Sequence, residues 1–548
     1  MSAKQSTLLE FVGLTAAQSF TEISAYAFHQ SATLIGGGYH VAIAQKARPF
    51  SMTAKALMIL GSMSSVGKSL LASGLCRLYA RKGWKVAPFK AQNMSNNAAV
   101  CSGGEIGRAQ AAQAHACGIE PTVDMNPVLL KPEADSRSQV IVQGQVWDSL
   151  SAKDYYARRA TLWQAITASY DSLSNKFDLI VIEGAGSAAE INLKAHDMVN
   201  LAIARYAHAP CVLVGDIDRG GVFAQLLGTL WLLDDAERNL IKGLIVNKFR
   251  GDLNLFLDGV NAIEARGGVP VLGVVPYIHD HGLAEEDAAT LVERYSSCSE
   301  KADIAVVHFP HISNFDDFDP LLAEPHVQMR YVNRASQLGK PAAIILPGTK
   351  NTLSDLRWLH ESGLSVRIQS LTAEGVVVVG LCGGFQMMGG LVTDENGAES
   401  AIRSAPGLGL LPGNTHFELA KTVTRSRAHV FASGGFMEKI QGQIIQGYEI
   451  HMGQTTSPRP FCHIFQRESS SVDSQDGACS EDGSIWGTYL HGVFDNDLLR
   501  IAWLESLKVS ASTVPFAERR NKTFDLLADA LEASLDVKRL DRIIAEGI

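Results

Sequence analysis

The 548-residue sequence lacks the features of a zinc protein, a disulfide scaffold or a membrane protein. Its eight cysteines, at positions 76, 101, 117, 211, 298, 382, 462 and 479, are scattered, with no C-x-x-C pair and no Cys/His cluster at zinc-ligand spacing. A structural zinc site and a disulfide framework are therefore not expected, and reduced thiols in a cytoplasmic protein are. No uninterrupted apolar stretch approaches the roughly 20 residues that a bilayer span needs. Runs such as Val376 to Leu381 have the length of a core strand. Residues 1–51 carry Gly36-Gly37-Gly38 and little charge, without a basic start followed by an apolar segment, so no secretory signal is expected. Charged residues are only 19% of the chain, and Lys+Arg 48 against Asp+Glu 57 leaves a formal net charge of -9. No basic run is interleaved with aromatics, so a broad nucleic-acid surface is not expected and any anionic ligand has to sit in a local pocket. No internal repeat recurs at a fixed period.

What the sequence does have is core: 46% of its residues are hydrophobic. From Ala54 to Tyr277, short apolar runs alternate with helix-like segments, at Ala56–Leu60, Val86–Phe89, Leu179–Ile182, Cys211–Val214, Leu244–Val246 and Val271–Val275. That alternation predicts a parallel sheet with helices on both faces. The polar stretch Glu285–Lys301 reads as a boundary, and a second series follows at Ile304–Phe309, Val327–Val332, Ala342–Leu346 and Val376–Leu381. The fold class is thus α/β in two domains: a phosphate-loop domain over residues 52–290 and a second α/β domain over 300–548. Residues 1–51 form an extension with no assigned role. Leu498–Leu507 and Phe524–Ile544 have helical periodicity and predict a helical tail on the second domain, with Leu526, Leu527, Leu531 and Leu535 as a loosely one-sided stripe.

Strand Ala56–Leu60 runs into Gly61-Ser-Met-Ser64-Ser-Val-Gly67-Lys68-Ser69, and Leu71, Leu75 and Leu78 then mark a helix face. Strand, glycine loop and helix in this order are the context that makes a Walker A match credible, although G-x5-G-K-S is one residue longer than the usual spacing. Backbone N–H groups freed by the glycines converge on phosphate oxygens, Lys68 neutralises phosphate charge and Ser69 is a Mg2+ ligand. Glu183, ending the strand Asp178–Glu183, is a second metal-linked candidate, with a helix-capping role as the alternative. Asn247 follows another strand and is placed to meet a purine. Gly215 to Gly221 follows a third, and its charges are open between metal, phosphate, substrate and turn.

The run Val376 to Leu381 leads into Cys382-Gly383-Gly384-Phe385-Gln386. An apolar strand followed by G-x-C-x-G and a helix is a nucleophile elbow, in which small neighbours permit the tight turn that exposes the sulfur at a helix N-terminus. The segment Pro347-Gly348-Thr349-Lys350-Asn351-Thr352 also follows a buried strand, so Gly348 and Gly383 are candidates for an oxyanion site. A histidine base has to come from elsewhere, and residue chemistry leaves two open: His451 and His491, both at ends of strand-like segments.

Cys382 with Gly384 and Gln386 resembles the nucleophile motif of class I, triad-type glutamine amidotransferases. Taken with the lengthened phosphate loop, Phe89 to Asn97, Met125 to Pro132, Gly215 to Gly221, Asn247 to Asp252, Ile312 to Asp316 and Gly447 to Gly453, it resembles the cobyric acid synthase family from about residue 54 onward. The first domain is similar to the dethiobiotin synthetase fold. The resemblance implies an ATP- and glutamine-dependent ligase that amidates the b, d, e and g carboxylates of adenosylcobyrinic acid a,c-diamide, through an acyl phosphate and internally delivered ammonia. It implies ATP and Mg2+ as cofactors and glutamine and a corrinoid as small-molecule substrates, with no nucleic acid and no membrane. It also implies Cys382 as nucleophile, His491 as base and Gln386 in the glutamine site. Lys90, Asn93, Asn97 and Lys131, in two matching blocks, become candidate corrinoid contacts. The general amidotransferase pattern has Glu two residues after the histidine, where this chain has Val493, so the third triad member is left open. Three alternatives compete with this resemblance, one of them an inactive amidotransferase-like scaffold, which would lack Cys382 or His491 where this chain has both. Cobyrinic acid a,c-diamide synthase fits the Gln92–Asn97 and Met125–Lys131 blocks less well. A partition-type ATPase switch usually has an early loop lysine, where this chain has Met63, and no cysteine elbow. The order of amidation, ammonia route and oligomeric state are not legible.

Overall fold

The computed structural model describes residues 53–133, 137–278 and 301–548. The extension 1–51 and nearly all of the expected boundary Glu285–Lys301 lie outside the described residues.

The first sheet consists of β1 (Lys55–Gly61), β2 (Val86–Phe89), β3 (Leu179–Glu183), β4 (Cys211–Asp216), β5 (Ile241–Phe249) and β6 (Val271–Pro276). Its order is β6-β5-β4-β1-β3-β2, and every pairing is parallel. The strands are near-continuous apolar runs because both faces are covered, one by the core around Leu213, Leu244 and Ile182 and the other by the core around Leu57, Val212 and Leu75. Order reverses at β1, so the loop leaving its carboxyl end opens at a switch point, where ligands of such sheets gather. Register brings three further residues to that edge: Ile59 pairs with Glu183, and Asp216 pairs with Asn247. Helix α1 (Lys68–Arg81) follows the loop, with Gly67 as its N-cap at φ 94°. No β-carbon fits at Gly67, since it would collide with the Asn247 amide nitrogen.

Between β2 and β3 the chain inserts helix α2 (Arg108–Ala116) and a four-stranded sheet of Gln92–Met94, Val128–Pro132, Arg137–Val142 and Gln145–Ser151. Sequence periodicity gives no sign of this sheet, because its strands are short and mix polar with apolar residues.

The second parallel sheet contains β7 (Ala302–Val307), β8 (Val327–Val332), β9 (Ala343–Leu346) and β10 (Val377–Leu381), and Cys382 turns the chain from β10 into α3 (Gly383–Met387). An antiparallel layer built on β11 (Asn414–Val430) and β12 (Ile444–Thr456) follows, and β13 (Ile485–Thr488) returns to complete the order β8-β7-β9-β10-β13, with Ala478–Cys479 on the edge. The antiparallel layer is absent from the sequence expectation: the register slips between Phe417 and Thr422, so clean alternation is lost in the longest strand.

The tail forms α4 (Phe516–Ser534) and α5 (Val537–Glu546), broken where Leu535 is extended. The expected helical tail is present: the first turn of α4 is held by the second domain, where Arg519 donates to the Ala323 carbonyl and to Glu324, both at 2.7 Å, and the rest packs on α1 of the first. Phe524, Leu527, Ala528, Leu531, Leu540 and Ile544 share a core with Leu71, Leu75 and Leu78. Gly74 makes the approach possible, since a β-carbon there would lie 2.5 Å from Leu531 Cδ1. Leu526, counted in the expected apolar stripe, is 61% exposed. Arg77 makes two hydrogen bonds to Asp525, at 2.8 and 3.0 Å, and Tyr79 donates to Asp541 at 2.9 Å. The Arg77–Asp525 pair is partly exposed and contributes about 0–1 kcal/mol, so the apolar seam is the main attachment. Among the described residues, no helix is long and apolar enough to cross a membrane.

Candidate functional site

At the phosphate loop, Lys68 lies back across the turn, donating to the carbonyls of Met63 at 3.2 Å and Gly186 at 2.9 Å. Gly61 leaves room for it: a β-carbon there would sit 2.8 Å from the Lys68 ammonium. Ser64 is exposed at the tip of the loop. Ser69 Oγ donates to Glu183 Oε1 at 2.8 Å, Lys90 donates to the same oxygen at 2.8 Å, and Gln113 Nε2 donates to Oε2 at 2.6 Å. Burial opposes ionisation of Glu183, but Lys90 and the Gln113 and Ser69 hydrogen bonds outweigh it and hold the carboxyl below its usual value. Glu183 is thus the hub of this edge rather than a helix cap. Asn247 Nδ2 donates to the Val66 carbonyl at 2.7 Å, bracing the loop from β5, and Lys248 bridges the Ser65 carbonyl at 2.6 Å and the buried Asp216 at 2.8 Å.

Two buried oxygens here, Gln113 Oε1 and Asn247 Oδ1, have no hydrogen-bond partner. Buried acceptors are normally satisfied, so each is suited to a ligand donor or cation. Ser69 Oγ, Glu183 and Gln113 Oε1 form an all-oxygen set of the sort that hard divalent cations prefer. Among the described residues, no group of three or more His, Cys, Asp or Glu gathers as a metal cage. By the chemistry of their oxygens, Ser69, Glu183 and Gln113 are the residues that would hold an Mg2+.

The candidate corrinoid residues are all buried, and they lie in separate environments. Lys90 belongs to the phosphate edge through Glu183. Asn93 Nδ2 donates to Gln110 at 3.1 Å, and Asn97 Oδ1 accepts from the Phe315 amide at 3.4 Å. Lys131 pairs with Glu105, which also binds Lys421 of β11. Burial pushes Lys131 down to about 7 against the pull of Glu105, with Lys421 and Lys350 adding to the depression. Its contacts lie where the inserted sheet approaches β11.

Cys382 adopts φ 49° and ψ -109°, a costly conformation for a residue with a β-carbon, and its amide donates to the Thr488 carbonyl at 2.9 Å. That turn presents the sulfur at the N-terminus of α3. His491 follows β13, the neighbour of β10, and its Nδ1 donates to Asp317 Oδ2 at 2.7 Å, while the Gly492 amide donates to Asp317 Oδ1 at 2.8 Å. Tyr448 stacks on the imidazole at 5.1 Å and 16°. Burial pushes His491 down, but the charges of Asp317 and Cys382, with hydrogen bonds to both, hold it protonated well above the ordinary histidine range. The arrangement is a thiol, an imidazole and a carboxylate in series, the geometry of a triad.

The two candidate histidines have different surroundings, His491 facing Asp317 and His451 facing Glu449. His451 Nδ1 donates to the Gly453 carbonyl at 2.9 Å, its Nε2 lies 3.3 Å from Glu449 Oε1, and the ring stacks on Tyr489 at 4.0 Å. Glu449 in turn is clamped by Arg467 at 2.8 and 2.9 Å and by Ser426 at 2.6 Å. Gly348 and Gly383 line the elbow: a β-carbon on Gly348 would lie 3.2 Å from His491 Cε1, and one on Gly383 would lie 3.0 Å from the Thr349 amide nitrogen. Gln386 sits one turn along α3 with both ends engaged, by Thr352 at 2.9 Å and Tyr489 at 3.3 Å. Sequence reasoning missed Asp317. The signal was the acid-rich segment beginning at Ile312, but it holds Asp316, Asp317 and Asp319, and spacing does not say which one meets a histidine 174 residues away.

The two centres are joined by α2. Arg108, its first residue, pairs with Asp316 at 2.9 Å, next to Asp317, while Gln113 reaches Glu183. Five residues of helix rise only about 7.5 Å, so one rigid element touches the surroundings of both.

The chain matches two family models: the CobQ/CobB/MinD/ParA nucleotide binding domain over residues 57–291 and the CobB/CobQ-like glutamine amidotransferase domain over 303–499. It is 49% identical to the cobyric acid synthase of Chloroflexus aurantiacus over 497 residues, 90% of this chain and 100% of that one. It is 48% identical to that of Roseiflexus castenholzii, over 89% of this chain and 99% of the relative. It is 46% identical to that of Dehalococcoides mccartyi, over 90% and 100%. A nucleotide-binding α/β domain and an amidotransferase domain, in one chain spanning the full length of these relatives, place the chain in the cobyric acid synthase family.

Proposed function

We propose that this protein amidates the b, d, e and g side-chain carboxylates of adenosylcobyrinic acid a,c-diamide to give adenosylcobyric acid, consuming ATP and glutamine. The observation that carries the reading is the coexistence, on one element-bridged scaffold, of the Ser69–Glu183–Lys90 phosphate edge and the Cys382–His491–Asp317 series. A carboxylate is a poor electrophile, and phosphorylation by ATP gives it a good leaving group. Lys68 and the amides around Gly67 balance charge on the transferring phosphoryl group. Ser69 and Glu183 would hold Mg2+, which would supply further charge neutralisation. Asn247 braces the loop and offers its free acceptor oxygen to a purine amine.

At the second centre, Cys382 attacks the glutamine amide carbon and the oxyanion is received by backbone N–H groups near Gly383 and Gly348. His491, held by Asp317 and Tyr448, gives its proton to the departing ammonia. Ammonia in bulk water at neutral pH is mostly ammonium and lacks a lone pair, so shielded passage is needed. The Arg108–Asp316 pair and the Asn97–Phe315 hydrogen bond close part of the seam between the centres. The seven described cysteines are all unpaired, which supports a reducing, cytoplasmic setting.

Purified protein given ATP, Mg2+, glutamine and either cobyrinic acid or its a,c-diamide distinguishes this reading from a,c-diamide synthesis. Conversion of the diamide to cobyric acid is expected. Consumption of cobyrinic acid with the diamide left intact would replace it with the rival activity.

A further inference from the structure

A cavity of about 580 Å3 opens beside the phosphate loop, and none of the four candidate corrinoid residues Lys90, Asn93, Asn97 and Lys131 lines it. Its wall is the segment that leaves Glu183: Gly186 gives its carbonyl to Lys68 at 2.9 Å, and the Ala188 amide donates to the Gly61 carbonyl at 2.9 Å. A group reaching along this wall meets the lysine that handles the phosphate.

The chemistry of the lining is specific. Leu130, Val140 and Leu150 of the inserted sheet give an apolar floor, and Tyr156 with His196 gives an aromatic side, their rings 4.7 Å apart. At the mouth, Met94 and Ile191 are 57% and 60% exposed. Arg159 anchors one arm on the Asp197 carbonyl at 3.0 Å, while its buried Nε has no hydrogen-bond partner. An apolar, aromatic chamber with an unsatisfied buried guanidinium donor calls for a ligand with a broad apolar face and peripheral carboxylate or amide oxygens.

We propose that this cavity holds the corrinoid macrocycle, with the ring against Tyr156 and the apolar floor, a peripheral oxygen on Arg159, and the arm under reaction running past Gly186 toward Lys68. The assignment rests on the amidation reading above. It moves substrate recognition from the buried Asn- and Lys-containing block to the insertion between β2 and β3 and the segment after β3. Of the Asn-rich segment, only Gln92 and Met94 reach the cavity, and Gln92 is positioned there by the Tyr155 hydroxyl.

The test is equilibrium titration of the full-length protein with adenosylcobyrinic acid a,c-diamide, followed by the corrinoid absorption spectrum without ATP or glutamine. A separate ATP titration is made on each preparation. Tyr156→Ala and Arg159→Ala are expected to raise the corrinoid Kd about ten-fold or more, while Tyr156→Phe stays within about two-fold and ATP binding is retained in all three. Corrinoid affinity unchanged in both alanine variants, with wild type binding normally, would overturn the cavity assignment alone. Parallel loss of ATP binding in both would also overturn it, as the effect would not be local. Failure of the wild-type protein to bind the corrinoid would instead remove the amidation reading, and the cavity assignment with it.

Discussion

Asp317 has no sequence motif of its own, yet its contacts make the sharpest residue-level prediction. His491 is held protonated above the ordinary range because Asp317 and Cys382 outweigh burial. In Asp317→Asn the anionic partner is gone and burial wins, so the imidazolium is lost at lower pH. Glutaminase turnover should fall by about a hundred-fold or more, and the alkaline limb of its pH profile should move to lower pH. An unshifted limb would detach Asp317 from the histidine. Cys382→Ala should abolish glutamine-supported amidation yet retain synthesis with high ammonium, measured as product per ATP consumed; equal loss with both donors would contradict two separate centres. For Glu183→Gln, the Mg2+ concentration for half-maximal ATP turnover should rise about ten-fold, because the Ser69 and Lys90 partners lose their carboxylate. An unchanged metal titration would return Glu183 to a purely structural role. Lys68, Ser69 and Cys382 were legible in the sequence because their chemistry demands glycines at fixed offsets. Asp317 and the partners of Lys131 were not, because those pairings are made by tertiary approach and leave no local pattern.

Among elements, the parallel strands were the most legible, down to both boundaries for Val86–Phe89 and Val327–Val332. Strands buried on both faces read as unbroken apolar runs between turn signals. The inserted sheet around Val128–Pro132 and the antiparallel layer of β11 and β12 were not legible, since half-exposed, slipped strands dilute alternation. The tail helices show the same division. Their periodicity announces an apolar face, but nothing in Phe524 or Leu531 names α1 as the partner. Leu531→Ala should destabilise the protein by about 2–5 kcal/mol in chemical denaturation, in line with other buried Leu-to-Ala changes. ATP at saturating concentration should recover part of that loss, since the seam backs the helix that carries Lys68. A change below about 0.5 kcal/mol would mean that the seam is not a load on the fold.

At the scale of the molecule, the central claim is that one chain makes ammonia at Cys382 and uses it at the phosphate edge without releasing it. Helix α2 spans the interval, with Arg108 at the Asp316–Asp317 end and Gln113 on Glu183. The most direct measurement is turnover of the a,c-diamide with ATP and amide-labelled glutamine in the presence of excess unlabelled ammonium, at a pH where free ammonia is scarce. The new carboxamides are then read by mass spectrometry. The account predicts that they carry the glutamine label undiluted; carboxamides bearing the isotope composition of the bulk ammonium would contradict it.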